Sequence, residues 1–288
     1  MTWRIVIVSS AAKLDLKLNS LVIRGEEIRR IHLSEIAIIV LESTAISITA
    51  ALLCELNKRG IKIVFCDEKR NPYGELITYY GSHDATEKLR CQIAWDEETK
   101  GIIWAEIVRE KIMKQADLLE ERGKTEGAAH LLSFADNVLP HDKSNREGHA
   151  AKVYFNTLFG KDFSRDDDSS TNACLNYGYM VLLSAFNREV SISGYYTQLG
   201  IFHDNTFNPF NLGSDLMEPF RPLVDKCVLN MDPIELTPES KKWLVDVLNQ
   251  EVMIEERRNY LLNAIRIYCR SVFDAINERD AGLLRFYR

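Results

Sequence analysis

Near Ser82 the chain changes texture, and that change constrains its fold more than any single motif does. From Trp3 to about Tyr80 the apolar runs are short and β-branched: WRIVIV, LVI, IRRIHL, IAIIV and IKIVF. Arg24-Gly25-Glu26, Arg59-Gly60 and Asn71-Pro72-Tyr73-Gly74 supply turn chemistry between them, the pattern of a small sheet-rich domain. One helix is expected near residues 45–58, behind the capping candidates Ser43 and Thr44. Residues 85–122, by contrast, hold no proline and a single glycine, Gly101. Along them Leu89, Ile93, Trp104, Ile107, Val108, Ile112 and Leu119 recur at helical spacing. Further helices are expected over about 126–138, 145–159, 172–193, 215–228 and 238–280. The fold class is therefore α+β, with residues 1–80 rich in strands and residues 81–288 helical.

At 288 residues the chain can bury a sizeable core in either part. The stretch from Ile36 to Cys54 is interrupted by Glu42 and by Ser and Thr residues, so it is read as core and no membrane association is expected. The start MTWRIVIVSS lacks the basic segment of a secretory leader. Cys54, Cys66, Cys91, Cys174, Cys227 and Cys269 form no CxxC pair, which suits reduced thiols in a cytoplasmic protein. The formal net charge is −6, a sign that argues against a generic nucleic-acid binder. Residues 1–75 carry 11 basic and 9 acidic side chains, so the acidity lies in the helical part, where Asp166 to Asp168 read as a solvated loop.

Three places combine metal-capable side chains with a rigid support: Glu147 in S-N-R-E-G-H, His203 in L-G-I-F-H-D-N, and Asp215 with Glu218 in D-L-M-E-P-F-R-P. Each has a simpler explanation. Ser144 with Glu147, and Asp215 with Glu218, fit the spacing of a capping box. His203 fits a hydrogen-bonded loop or core histidine, and His141 and His149 fall in the same class. The chemical reading is that two carboxylates and a neutral imidazole suit Mg²⁺ or Mn²⁺, with positions left for phosphate oxygens. No Walker A, GxGxxG, GxSxG or HExxH pattern is present. Spacing alone leaves capping and metal binding both open.

In order and spacing, E-G-H-A-A-K-V-Y-F at 147–155, N-Y-G-Y at 176–179, L-G-I-F-H at 199–203 and D-L-M-E-P-F-R-P-L-V-D at 215–225 resemble the CRISPR spacer-acquisition integrase family. The wording of A-A-K-V-Y-F-N and N-R-E-V-S-I-S-G is most similar to members from type II systems. The resemblance spans the chain and implies a β-sandwich domain followed by an all-helical catalytic domain. It implies that Glu147, His203 and Glu218 are catalytic and coordinate Mg²⁺ or Mn²⁺, with Asp215 as an alternative ligand or a support behind them. It further implies a DNA integrase that inserts captured short DNA at the leader end of a CRISPR array, by 3′-hydroxyl attack on repeat phosphodiesters. A structure-specific endonuclease and a non-catalytic DNA-binding scaffold are the alternatives.

The same resemblance implies a homodimer, and a heterohexamer with a small ferredoxin-like dimeric adaptation partner on double-stranded DNA. It extends to the effector nuclease and an accessory adaptation protein. The β-rich domain would carry dimer and partner contacts. Lys152 and Arg221 are candidate phosphate contacts, although either could instead pair with acids such as Asp215 or Asp225. Arg258, Arg266 and Arg270 could line one face of the last helix, or be ordinary solvated charges. Many relatives carry a basic residue after the histidine, whereas this loop reads N-T-F-N-P-F-N-L-G-S. DNA affinity is accordingly expected to depend on assembly and to fall as salt rises.

Overall fold

The computed structural model describes residues 4–68, 70, 72–76 and 84–288. It divides into two compact units, Met1–Ala85 with Ser191–Gly194, and Thr86–Val190 with Tyr195–Arg288. The expected boundary near residue 80 lies outside the described residues.

The first unit is strand-rich. Strands β1 (Arg4–Val8), β2 (Ala12–Lys17), β3 (Ser20–Arg24), β4 (Ile28–His32), β5 (Ile36–Leu41) and β6 (Ile46–Ile48) precede helix α1 (Ala50–Lys58), and β7 (Lys62–Cys66) and β8 (Pro72–Glu75) follow it. They form two four-stranded sheets, ordered β1-β5-β7-β8 and β4-β3-β2-β6. In the first, β1, β5 and β7 run parallel and β8 antiparallel. In the second, β2, β3 and β4 are antiparallel and β6 joins β2 in parallel. Every residue of β5 is buried, as a central parallel strand requires. Val8, Leu14, Leu21, Ile39, Leu52, Leu56 and Ile63 draw both sheets and α1 into one apolar core.

The helix in this unit starts later than the sequence suggests. Residues 46–48 are taken by β6, and Thr49, not Ser43 or Thr44, caps α1 by accepting the Leu52 amide at 3.4 Å. Pairing with β2 outcompetes one extra helical turn, since Ile46 and Ile48 are β-branched residues that fit a strand.

The second unit is built from α2 (Ala85–Ile93), α3 (Glu97–Glu121), α4 (Thr125–Ala135), α5 (Arg146–Phe159), α6 (Ser170–Ile192), α7 (Asn211–Met217), α8 (Arg221–Met231), α9 (Pro238–Asp246) and α10 (Leu261–Glu278). The long 25-residue α3 is its axis, packed by α4, α5, α8 and α10. The periodic stretch 85–122 breaks because Asp96 stops one helix and caps the next, accepting the Thr99 amide at 2.9 Å. The expected helix over 215–228 breaks at Pro219, where a 3₁₀ turn, Glu218–Phe220, separates α7 from α8.

Within 238–280 the structure inserts a hairpin, β9 (Glu251–Ile254) and β10 (Arg257–Tyr260), between α9 and α10. Its two-residue turn places Glu255 and Glu256 at φ of 50° and 61°. A turn with two left-handed residues is normally announced by Asn-Gly or Asp-Gly, and Glu-Glu hides it. The chain then returns to this hairpin: the Met253 amide donates to the Arg288 carbonyl at 2.9 Å, and the Arg288 amide to the Met253 carbonyl. Among the described residues no helix is long and apolar enough to cross a membrane.

Candidate metal and DNA-processing site

Neither capping box forms. Asn145, at the start of α5, is left-handed with φ of 50° and contributes no side-chain cap, while the Ser144 hydroxyl turns back to the Asn137 carbonyl at 3.4 Å. Asp142 caps α5 instead: its two carboxylate oxygens accept the Arg146 and Glu147 amides at 2.8 and 2.9 Å. Glu147 is thereby freed to face inward. Asp215 lies within α7 and makes no cap to Glu218, so Glu218 also turns inward, from a helix junction fixed by Pro219.

The two glutamates meet at a lysine that the motifs did not single out. Lys111 of α3 places its Nζ 2.6 Å from Glu147 Oε1 and 2.5 Å from Glu218 Oε2. Burial alone would drive the ammonium to lose its proton, but the Glu218 and Glu147 charges reverse this and raise its pKa above the ordinary lysine value. Burial likewise pushes Glu218 up, yet Arg221 and Lys111 together hold it down, to about 2. Arg221, one turn beyond, donates from Nε to Glu218 Oε1 at 2.9 Å, and its guanidinium lies 4.6 Å above the Tyr179 ring. A clue to Lys111 exists in the sequence: it follows Trp104 by seven residues and Val108 by three on the buried face of α3, where a lysine is out of place without partners.

His203 is set by a loop folded around Asp215. The carboxylate of Asp215 is fully buried. Its Oδ2 accepts the Ile201 and Phe202 amides at 2.6 and 3.0 Å, and its Oδ1 accepts the His203 amide at 3.2 Å. Oδ1 also contacts the His203 ring at Nδ1. Gly200 makes the wrap possible, because a Cβ there would sit 2.3 Å from the His203 carbonyl oxygen and 2.7 Å from Asp215 Oδ2. Trp104 stacks on Phe202 with ring centroids 4.6 Å apart and meets the histidine ring edge-on. The hydrogen bond with Asp215 raises the His203 pKa against the pull of burial, and the Asp215, Glu218 and Glu147 charges add to it.

With Nδ1 taken by Asp215, the His203 Nε2 is the nitrogen left to bind a cation, the arrangement common behind metal-ligating histidines. Glu218 Oε2 is buried and makes no aligned hydrogen bond, although the lysine nitrogen lies close. Two carboxylates and one oriented imidazole are thus a donor set that fits Mg²⁺ or Mn²⁺. Among the described residues, no three His, Cys, Asp or Glu side chains are yet drawn together as a metal cage. The glutamates converge on Lys111.

The other candidates fall as follows. Asp215 has its oxygens engaged by three amides and the histidine ring, which suits a support and not a ligand. Arg221 pairs with Glu218 and with neither Asp215 nor Asp225. Asp225 instead accepts from the Tyr154 hydroxyl at 2.8 Å and from the Tyr179 hydroxyl, and burial pushes it up to about 6. Lys152 is exposed on α5, about 140° around the helix from Glu147.

The fold of this chain is shared with solved structures. One, a casposase bound to integration product, superposes with a TM-score of 0.76 at 18% identity, over 98% of this chain and 92% of that one. A chain of a Cas6-RT-Cas1–Cas2 complex does so at 0.76 and 17% identity, over 98% of this chain but 36% of that longer one. Sequence fixes the family. Residues 5–235 match the model of the CRISPR associated protein Cas1, so the chain belongs to the Cas1 family. It is 36% identical, over 99% of its own length and 96% of the relative's, to the CRISPR-associated endonuclease Cas1 of Neisseria meningitidis serogroup C.

Proposed function

We propose that this protein is a metal-dependent DNA integrase that inserts captured short DNA into a CRISPR array. The observation that carries the reading is the convergence of Glu147 and Glu218 beside an imidazole whose other nitrogen is held by Asp215. Membership of the Cas1 family and the casposase-like fold support it. Glu147, Glu218 and His203 Nε2 would hold Mg²⁺ or Mn²⁺. Bound there, the cation supplies charge stabilisation at the phosphate and lowers the pKa of the attacking hydroxyl.

The chain's own part is to hold these donors still. Asp215 fixes the tautomer and tilt of His203, Arg221 fixes one Glu218 oxygen, and the wrapped 200–203 loop keeps the imidazole at the site. In the reaction a donor 3′-oxygen bonds to a repeat phosphorus while the bond to the repeat 3′-oxygen breaks. No covalent enzyme intermediate is required, and the buried tyrosines are unsuited to form one: Tyr154 and Tyr179 both have hydroxyl pKa values raised well above normal by burial. The working assembly is a homodimer that joins a small ferredoxin-like partner in a heterohexamer; the fold shared with a chain of a Cas6-RT-Cas1–Cas2 complex supports the presence of a partner. The endonuclease named for the Neisseria relative favours a second outcome, in which water replaces the 3′-hydroxyl and the product is cleaved DNA.

The test is strand transfer with short duplex donor, repeat-containing target, the small partner and Mn²⁺. Joined product is expected with a 3′-hydroxyl donor and none with a 3′-deoxy donor. Hydrolysis without joining on either donor would support the nuclease outcome and contradict the integrase.

A further inference from the structure

The geometry points to Lys111 as an internal competitor for the metal position: its ammonium holds Glu147 and Glu218 together until a divalent cation displaces it. The inference rests on the metal-site reading above and names a regulator of that site. Three observations carry it. The Nζ lies 2.6 and 2.5 Å from oxygens of the two glutamates, so it stands where a cation bridging both carboxylates would stand. A flexible four-carbon stem lets a lysine move away, whereas Arg221 is fixed on Glu218 Oε1 and on the Tyr179 ring and leaves Oε2 to the competitor. His203 is already oriented by Asp215, while the two glutamates meet at the lysine and, among the described residues, no three acidic or histidine side chains form a metal cage.

The physical logic is charge exclusion. A buried carboxylate, Glu218, and a partly exposed one, Glu147, repel each other when both are drawn to one point, and one cation resolves the conflict. A divalent ion and an ammonium cannot both occupy the space between the same two oxygens, so binding one expels the other. Lys111 therefore keeps the carboxylates converged, and it sets the metal affinity lower than the donor set alone would give. It is a positioning residue for Glu147 and Glu218. Weak metal binding would in turn leave the assembled DNA complex, with its added phosphate oxygens, as the state that holds the ion well.

The test uses the full chain and Mn²⁺ alone, with free Mn²⁺ followed by its paramagnetic resonance signal. Lys111→Met keeps the length of the side chain and removes the charge. It is expected to bind Mn²⁺ about tenfold more tightly than wild type, and to gain more in melting temperature from added Mn²⁺. Lys111→Arg, which keeps the charge, is expected to stay within about threefold of wild type. Unchanged or weaker binding by Lys111→Met, or equal tightening by Lys111→Arg, would overturn the inference.

A second measurement needs no variant. In the wild-type protein, acylation of the Lys111 amine, read by peptide mass spectrometry, is expected to rise several-fold when Mn²⁺ is added, and an unchanged rate would contradict displacement. His203→Ala separates the two ideas. If it binds Mn²⁺ as wild type does, the metal-site reading itself fails; if it loses binding while Lys111→Met shows no tightening, only the lysine inference fails.

Discussion

One carbon atom at Gly200 is enough to test how finely the histidine is placed. A methyl group there would collide with the His203 carbonyl and the Asp215 carboxylate, so the 200–203 loop would have to open. Gly200→Ala is expected to lower joining about a hundredfold, the scale of a misplacement near 1 Å, while steady-state melting falls by only a few degrees. Parallel kinetics and thermal melts check this, and an unimpaired rate would contradict the loop's role. The same residues show what a sequence conveys at this scale. Glu147, His203 and Glu218 stand out through resemblance, whereas spacing alone points equally to capping boxes that do not form. Asp142 takes the capping work at α5, and Asp215 takes the loop amides. Lys111 does not stand out in the sequence because lysines are commonplace on helices, and only its burial, which depends on α5 and the 3₁₀ turn at Glu218 closing over α3, gives it meaning.

Elements are joined behind the site by Asp225. It lies on α8 and accepts hydroxyls from Tyr154 of α5 and Tyr179 of α6, which ties three helices at one fully buried carboxyl. Burial raises its pKa from the ordinary aspartate range to about 6 against the pull of the two tyrosine hydrogen bonds. A raised folded pKa means that the neutral form stabilises the protein fully below about pH 4, and that this contribution is lost as pH rises through about 6. Asp225→Asn, which stays neutral, is therefore expected to gain on wild type by about 2 to 3 kcal/mol between pH 4 and pH 7. Urea denaturation of both proteins across that range is the check, and a pH-independent difference would contradict it. Helix content was legible from periodicity, since α4, α5 and α6 fall close to the expected spans. The β9–β10 hairpin was not, because its left-handed turn is made of two glutamates and its strands borrow pairing from the distant Arg288 backbone.

Across the whole molecule, the change from β-branched runs to helical periodicity anticipates the two kinds of unit, a strand-rich one and a largely helical one. It does not anticipate the mixed parallel pairing of β1, β5 and β7, which depends on contacts between strands far apart in sequence. The net charge of −6 also takes on a different meaning once the helical unit is seen to gather carboxylates around Lys111 and Arg221. Carboxylates gathered there are what a divalent cation would offset, and that cation would in turn offset a DNA phosphate. The central claim is that Glu147, His203 and Glu218 jointly hold the cation that drives DNA joining. It is tested most directly by Mn²⁺-dependent strand transfer with Glu147→Ala, His203→Ala and Glu218→Ala, each first shown by its melting curve to be folded. The account predicts that each loses joining by at least about a hundredfold, as removal of several kcal/mol of charge stabilisation requires; full joining by all three folded variants would contradict it.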